Sequence, residues 1–118
     1  TTGVKFAVKM TNISDGTGEN LVTKVDASNT TFMTEDGERK ISKIYWSINT
    51  QSGKSSVELL WAGTTNATAV SLSGQGFWDL RADGNEITNN ATSPTGDVLL
   101  STRNFATGDN YTILVVFR

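Results

Sequence analysis

Apolar residues in this chain recur at every second position, in short runs, and no segment of ordinary length keeps the three-to-four spacing of an amphipathic helix. A strand points successive side chains to opposite faces, so a period of two marks a strand with one buried face. Val4, Phe6, Val8 and Met10 alternate in this way with Lys5, Ala7, Lys9 and Thr11. The runs are separated by clusters of Gly, Asn, Asp and Ser, the residues that turns demand. Short strands at close spacing predict an all-β fold, an antiparallel β-sandwich with a jelly-roll-like topology as one option. At 118 residues the chain is read as a single β domain, 1–118. A chain of that size buries about two-thirds of its unfolded surface and needs no metal or disulfide to fold.

The strongest pattern lies in residues 41–62. Ile44, Trp46 and Ile48 fall on one face of the first run, and Val57, Leu59 and Trp61 on one face of the second. A polar stretch, Asn49-Thr50-Gln51-Ser52-Gly53-Lys54, separates them. Paired as a hairpin, the two rows form a surface that seeds a core. Residues 21–26, 30–33, 69–72 and 77–81 read as further strands. Glu35-Asp36-Gly37-Glu38 and Asp83-Gly84 read as turns, with 86–88 returning after the second. Residues 89–96 read as a long loop. Residues 97–102 and 111–118 read as a last hairpin about the turn 107–110. Both rows of its second strand are largely apolar, which predicts a central strand covered on both faces.

Composition removes several chemistries. There is no cysteine and no histidine, so a disulfide framework, a thiolate or imidazole metal site and a Ser-His-Asp triad are excluded. A net charge of −2 with no basic run longer than two residues gives no footprint for nucleic-acid phosphate. No segment has the length and apolarity of a membrane-spanning helix, so no membrane partner is expected. The start, Thr1-Thr2-Gly3-Val4-Lys5, lacks the charged lead and apolar core of a signal peptide. The expectation is synthesis in the cytoplasm with loss of an initiator methionine.

Four candidate sites carry plainer alternatives. Asp79, Asp83, Gly84, Asn85 and Glu86 resemble part of a calcium loop, but the position needing an oxygen ligand is Arg81, so a hairpin turn is expected. Tyr45, Trp46, Trp61, Phe77 and Trp78 could form a sugar-stacking platform. Trp46 and Trp61 are in phase with the aliphatic rows and are assigned to the core. Tyr45 and one of Phe77 or Trp78 are the surface candidates. Glycosylation triplets begin at Asn12, Asn29, Asn66, Asn90 and Asn110; chance supplies these in a chain rich in Asn and Thr. Paired carboxylates can hydrolyse glycosides without histidine. The acids here lie mostly in turns, and Glu58, in mid-strand, has no identifiable partner, so no enzyme is expected.

The ending Ala106-Thr107-Gly108-Asp109-Asn110-Tyr111-Thr112-Ile113-Leu114-Val115-Val116-Phe117-Arg118 resembles that of small structural proteins of tailed phages, marine cyanophages among them. In those proteins a Gly-Asp-x-Tyr-Thr turn leads into a terminal strand with a basic end. Ile44-Tyr45-Trp46 and Gly76-Phe77-Trp78-Asp79-Leu80 resemble the same group more loosely. The resemblance implies a virion component, such as a capsid decoration protein bound to the major capsid protein. It implies no cofactor and carries no site residue. A homo-oligomer is compatible with it. A carbohydrate-binding module of a receptor-binding or tail protein is the alternative. For a decoration protein, the weakly patterned polar segments are the expected contacts: Thr1, Thr2 and Gly3 in the N-terminal arm, and Asn89, Asn90 and Thr92 in the long loop.

Overall fold

The computed structural model describes residues 6–16, 18–26, 40–51, 54–80, 84 and 86–118. Among them are eight strands and no helix. The strands are β1 (Phe6–Ile13), β2 (Val22–Val25), β3 (Ile41–Asn49), β4 (Ser56–Trp61), β5 (Ala67–Leu72), β6 (Gln75–Asp79), β7 (Val98–Arg103) and β8 (Asn110–Phe117). They form two antiparallel four-stranded sheets, one ordered β1-β8-β3-β6 and the other β2-β7-β4-β5. The all-β sandwich is as expected. The predicted strand at 30–33 and the turn at 35–38 lie outside the described residues.

The strand order has a simple origin. β1 pairs β8, β2 pairs β7, β3 pairs β6 and β4 pairs β5. The chain is therefore one long ribbon, doubled back on itself at the β4–β5 turn. Rolling that ribbon closes two new contacts, β8 with β3 and β7 with β4. This is the jelly roll, the topology raised as one option. Three of the four pairs keep nearly one register: partner numbers total 123 at Phe6↔Phe117, 122 at Val22↔Leu100 and 122 at Lys43↔Asp79, whereas β4–β5 is offset, at 129 for Val57↔Leu72.

Both predicted hairpins are corrected by this arrangement. β3 and β4 belong to different sheets, and so do β7 and β8. The polar stretch after β3 carries the chain across the sandwich and does not fold back. Its bonds show why. The Gln51 N–H donates to Asp109 Oδ1 at 3.3 Å, the Ser55 hydroxyl donates to the Asn104 carbonyl at 2.6 Å, and the Asn104 amide donates to the Lys54 carbonyl at 3.1 Å. The two crossing segments thus satisfy one another at the same end of the sandwich. The apolar rows themselves were read correctly. Ile44, Ile48, Val57, Leu59 and Trp61 are all buried, but they face each other across the core and are not side by side in one sheet.

The core joins the inner rows of both sheets. Met10, Tyr111, Ile113, Val115 and Phe117 meet Val25, Val57, Leu59, Val70, Leu72, Val98 and Leu100. At one end the rings of Trp61 and Phe117 meet edge to face, 6.3 Å apart. β8 is central, as predicted, but covered on one side only: Thr112 is exposed, and Leu114 and Val116 are half-buried. On the outer side of the other sheet, Leu60, Ala62 and Leu99 form a small separate cluster.

Candidate functional site

Among the described residues, no three Asp, Glu, His or Cys side chains converge as metal ligands would. Glu58, the mid-strand acid, accepts a hydrogen bond from Thr68 at 2.8 Å and lies 3.5 Å from the Arg103 guanidinium. It braces adjacent strands of one sheet. Asp83 and Asn85 of the calcium-like run lie outside the described residues, and Glu86 lies 3.7 Å from Arg118.

The long loop is more firmly held than its sequence suggests. Thr92 N–H donates to the Thr65 carbonyl at 3.1 Å, and Thr64 N–H donates to the Thr92 carbonyl at 2.7 Å. Asn89 Oδ1 accepts from the Ala91 N–H at 3.1 Å, and Ala91 packs against the core. Asn90 and Thr92 are exposed and Asn89 is half-buried. This loop lies beside the β4–β5 turn, at the end of the sandwich where β1 begins, because Phe6 pairs Phe117 and Phe117 meets Trp61. Thr1, Thr2 and Gly3 lie outside the described residues.

Two features at the opposite end were not foreseen. Asp109, read as part of an ordinary turn, is buried and pins both crossing segments. Its carboxylate accepts from Ala106 N–H at 2.8 Å as well as from Gln51 N–H. Beside it, Asn49, Thr50, Gln51, Thr107, Gly108 and Asn110 line an open groove of about 310 Å³. The second feature is Glu19, in the connection between β1 and β2. One carboxylate oxygen accepts from the Tyr111 hydroxyl at 2.5 Å and from Asn12 at 3.0 Å, and the other lies 2.6 Å from the Lys24 ammonium. Burial by itself would raise the Glu19 pKa; the bonds from Lys24, Tyr111 and Asn12, with the Lys24 charge, outweigh it and hold the pKa below the ordinary value. Burial raises the pKa of the Tyr111 phenol, and the Glu19 bond and charge raise it further. Asn12, Glu19 and Lys24 lie within one stretch of the chain, but a polar residue before a strand gave no hint of the cluster, since Tyr111 lies 92 positions from Glu19.

Among the described residues, the most exposed aromatic surface sits on β3 and the edge strand β6. Tyr45 is 41% exposed, Phe77 48% and Trp78 46%. The sequence reading put only one of Phe77 and Trp78 at the surface; both are there, on opposite faces of β6. Tyr45 and Phe77 are cross-strand partners on the outer face, their rings stacked at 4.3 Å and 20°. On the inner face Trp46 meets Trp78 edge to face at 5.5 Å. Trp46 is half-buried, not a full core residue, because β6 is the last strand and the sandwich is open there. Its indole N–H donates to the Ser73 carbonyl at 2.9 Å, and its ring lies over Gly76, its partner on β6. Trp61, by contrast, is fully buried as predicted. Next to the stacked pair, an amide chain runs across the outer face: Gln75 donates to Asn49 at 3.4 Å and Asn49 to Asn110 at 3.3 Å.

No protein-family model matches the sequence, and no curated protein matches it. Among solved structures, the chain is similar to an acidic stable capsid structure of Helicobacter pylori bacteriophage KHP30, at 17% identity over 98% of this chain and 87% of that one, with a TM-score of 0.49. It is also similar to a structure of Bacillus endospore appendages, described as disulfide-linked pili, at 8% identity over 97% and 85%, TM-score 0.49. A third, the crystal structure of FLHE, gives 14% identity over 97% of both chains, TM-score 0.44. At these values none of the three bears on function.

Proposed function

We propose that this protein is a non-enzymatic structural component of a tailed-phage virion, a decoration protein that binds the major capsid protein and stabilises the shell. The observation that carries this reading is the 106–118 ending, whose Gly-Asp-x-Tyr-Thr turn resembles that of small phage structural proteins. Its geometry suits such a role. Asp109 locks the turn and β8 forms the middle of a sheet, giving a rigid scaffold with no need of a catalytic group. The proposed contacts are Thr1, Thr2 and Gly3 together with Asn89, Asn90 and Thr92. β1 begins at the end of the sandwich that carries the 89–96 loop, so one docking face can use both. The pinned loop reaches a partner with little further loss of entropy, which favours weak contacts repeated over a lattice.

The test is co-sedimentation with mature capsids. The intact protein should pellet with shells and raise their rupture temperature. Removing residues 1–3, or changing Asn90 and Thr92 to lysine, should weaken pelleting while the melting temperature of the protein itself is retained. Failure of the intact protein to pellet with any shell sinks the reading. The exposed Tyr45–Phe77 pair beside the amide chain favours a second reading, carbohydrate binding by an aromatic platform. Glycan-array binding that is lost on changing Phe77 would support it.

A further inference from the structure

The unusual edge is β6. Natural edge strands are commonly blunted by lysine, proline or a covering segment, because their unpaired backbone recruits other strands. β1 carries Lys9 and β2 carries Lys24, whereas β6 reads Gln75-Gly76-Phe77-Trp78-Asp79. No other described strand pairs with the far side of Gln75, Gly76, Phe77 and Trp78. The direction of its backbone groups follows from two bonds. Ile48 N–H donates to the Gly74 carbonyl at 2.7 Å, and Leu80 N–H donates to the Ser42 carbonyl at 2.9 Å. Bonded pairs alternate in an antiparallel ladder. Gly76 and Trp78 therefore bond β3, while the N–H and C=O of Gln75 and Phe77 point away from the sheet.

We propose that β6 is a homodimer interface, pairing antiparallel with β6 of a second copy about a two-fold axis at Phe77. This register is self-complementary. Each Phe77 N–H donates to the Phe77 carbonyl of the other copy. The stacked row Tyr45–Phe77 continues across the axis, since one face of the Phe77 ring meets Tyr45 and the other looks past the sheet edge. Trp78 falls opposite Gly76 of the second copy, so the ring it meets there is that of Trp46, which lies over the glycine. Gln75 falls opposite Asp79 of the second copy, and the two Asp79 carboxylates are kept about 13 Å apart along the strands. A register centred on Trp78 would instead set Asp79 against Phe77. The result joins two four-stranded sheets into one of eight strands.

The area sets the strength. Three aromatics of about 150–250 Å² each, a little under half exposed, offer roughly 200–350 Å² per copy. A pair contributes about 400–700 Å² before the strand backbone is added, against the roughly 1,000 Å² of a stable interface. Association in the micromolar range is the expectation. It is independent of shell binding, because it is measured on the protein alone.

Sedimentation equilibrium from about 1 μM to about 1 mM tests it. The intact protein should show a monomer–dimer equilibrium. Phe77→Lys sets like charges opposite one another and should weaken it about tenfold or more, with the melting temperature little changed. As the chain has no cysteine, Phe77→Cys offers a second test. Cα atoms of a bonded antiparallel pair lie about 5.5 Å apart, within disulfide range, so mild oxidation should give a covalent dimer. Ala7→Cys, exposed on the other edge of the same sheet, should not. A monomer throughout the range overturns the proposal, and so does a dimer indifferent to Phe77→Lys or equal cross-linking from Ala7→Cys. A monomer that binds glycans through Phe77 assigns the surface to sugar instead.

Discussion

Gly76→Ala is expected to destabilise the protein, although the general rule points the other way. Gly76 is a strand residue with no need of a left-handed backbone. Replacing glycine by alanine at such a position ordinarily stabilises by about 0.4–1 kcal/mol, because the unfolded chain loses freedom. Here a Cβ would lie 2.5 Å from Trp46 Cζ2, 2.9 Å from Cη2 and 3.0 Å from Cε2. The indole cannot simply swing aside. Its N–H is bonded to the Ser73 carbonyl and its edge meets Trp78. Overpacking of this kind costs about 1–3 kcal/mol. The balance is a net loss of up to about 2.5 kcal/mol.

The assay is urea unfolding followed by tryptophan fluorescence, with the same change made in a Trp46→Leu background. In that background the steric term disappears, and Gly76→Ala should become neutral or stabilising. The double-mutant cycle then isolates a coupling of about 1–3 kcal/mol between the two positions. A stabilising Gly76→Ala in the intact protein would refute the reasoning, because it would mean that the indole does not rest on the glycine.

Trp61→Ala should cost about 3–5 kcal/mol in urea unfolding, as full burial of the ring implies; Trp46→Ala, at a half-buried site, should cost less. Asp109→Ala should cost about 1.5–3 kcal/mol, since it strips a charged acceptor from two backbone donors, and a loss below that range on thermal unfolding would mean the crossing segments hold themselves. The depressed pKa of Glu19 makes its contribution to stability complete above the unfolded value of 4.5 and lost as pH falls through the folded value. Glu19→Gln should therefore reduce stability at neutral pH and flatten the acid limb of the stability profile. Leu21 is exposed with φ 52°, a strained conformation for leucine, so Leu21→Asn should raise the melting temperature.

The legible part of the fold was its alternation, and the illegible part was its pairing. Each inward row named from the sequence is inward: Ile44 and Ile48 on β3, Val57, Leu59 and Trp61 on β4, Tyr111, Ile113, Val115 and Phe117 on β8. A period of two depends only on the side-chain geometry of one strand. Pairing depends on partners, and in a doubled ribbon only β4 and β5 are both neighbours in sequence and partners in space. A rule that joins consecutive strands across a polar turn is therefore wrong at 49–54 and at 104–109. A local signal for crossing would have to be a turn whose polar groups cannot close on themselves. Asp109 is such a residue, but its second partner, Gln51, lies 58 positions away.

The same distance explains why the surface sites were only half visible. Alternation placed Tyr45 outward and marked Phe77 and Trp78 as opposed. It could not say that β6 ends a sheet, and it is the edge that exposes Trp78 on the inner face and leaves Trp46 half-covered. Edge position follows from the roll as a whole. When the ribbon closes, β8 is enclosed between β1 and β3, and β7 between β2 and β4, leaving β1, β6, β2 and β5 as the outer strands. Two of these, β1 and β2, carry lysine, and the exposed strand positions of β5 are Thr68 and Ser71. Among the described side chains, exposed aromatic rings coincide with an outward-facing backbone on β6. Fold stability does not require large rings there, since solvent-facing positions on the neighbouring edge are filled by small hydroxyl side chains. Their presence on β6 is better explained by a surface that is covered when the protein is at work.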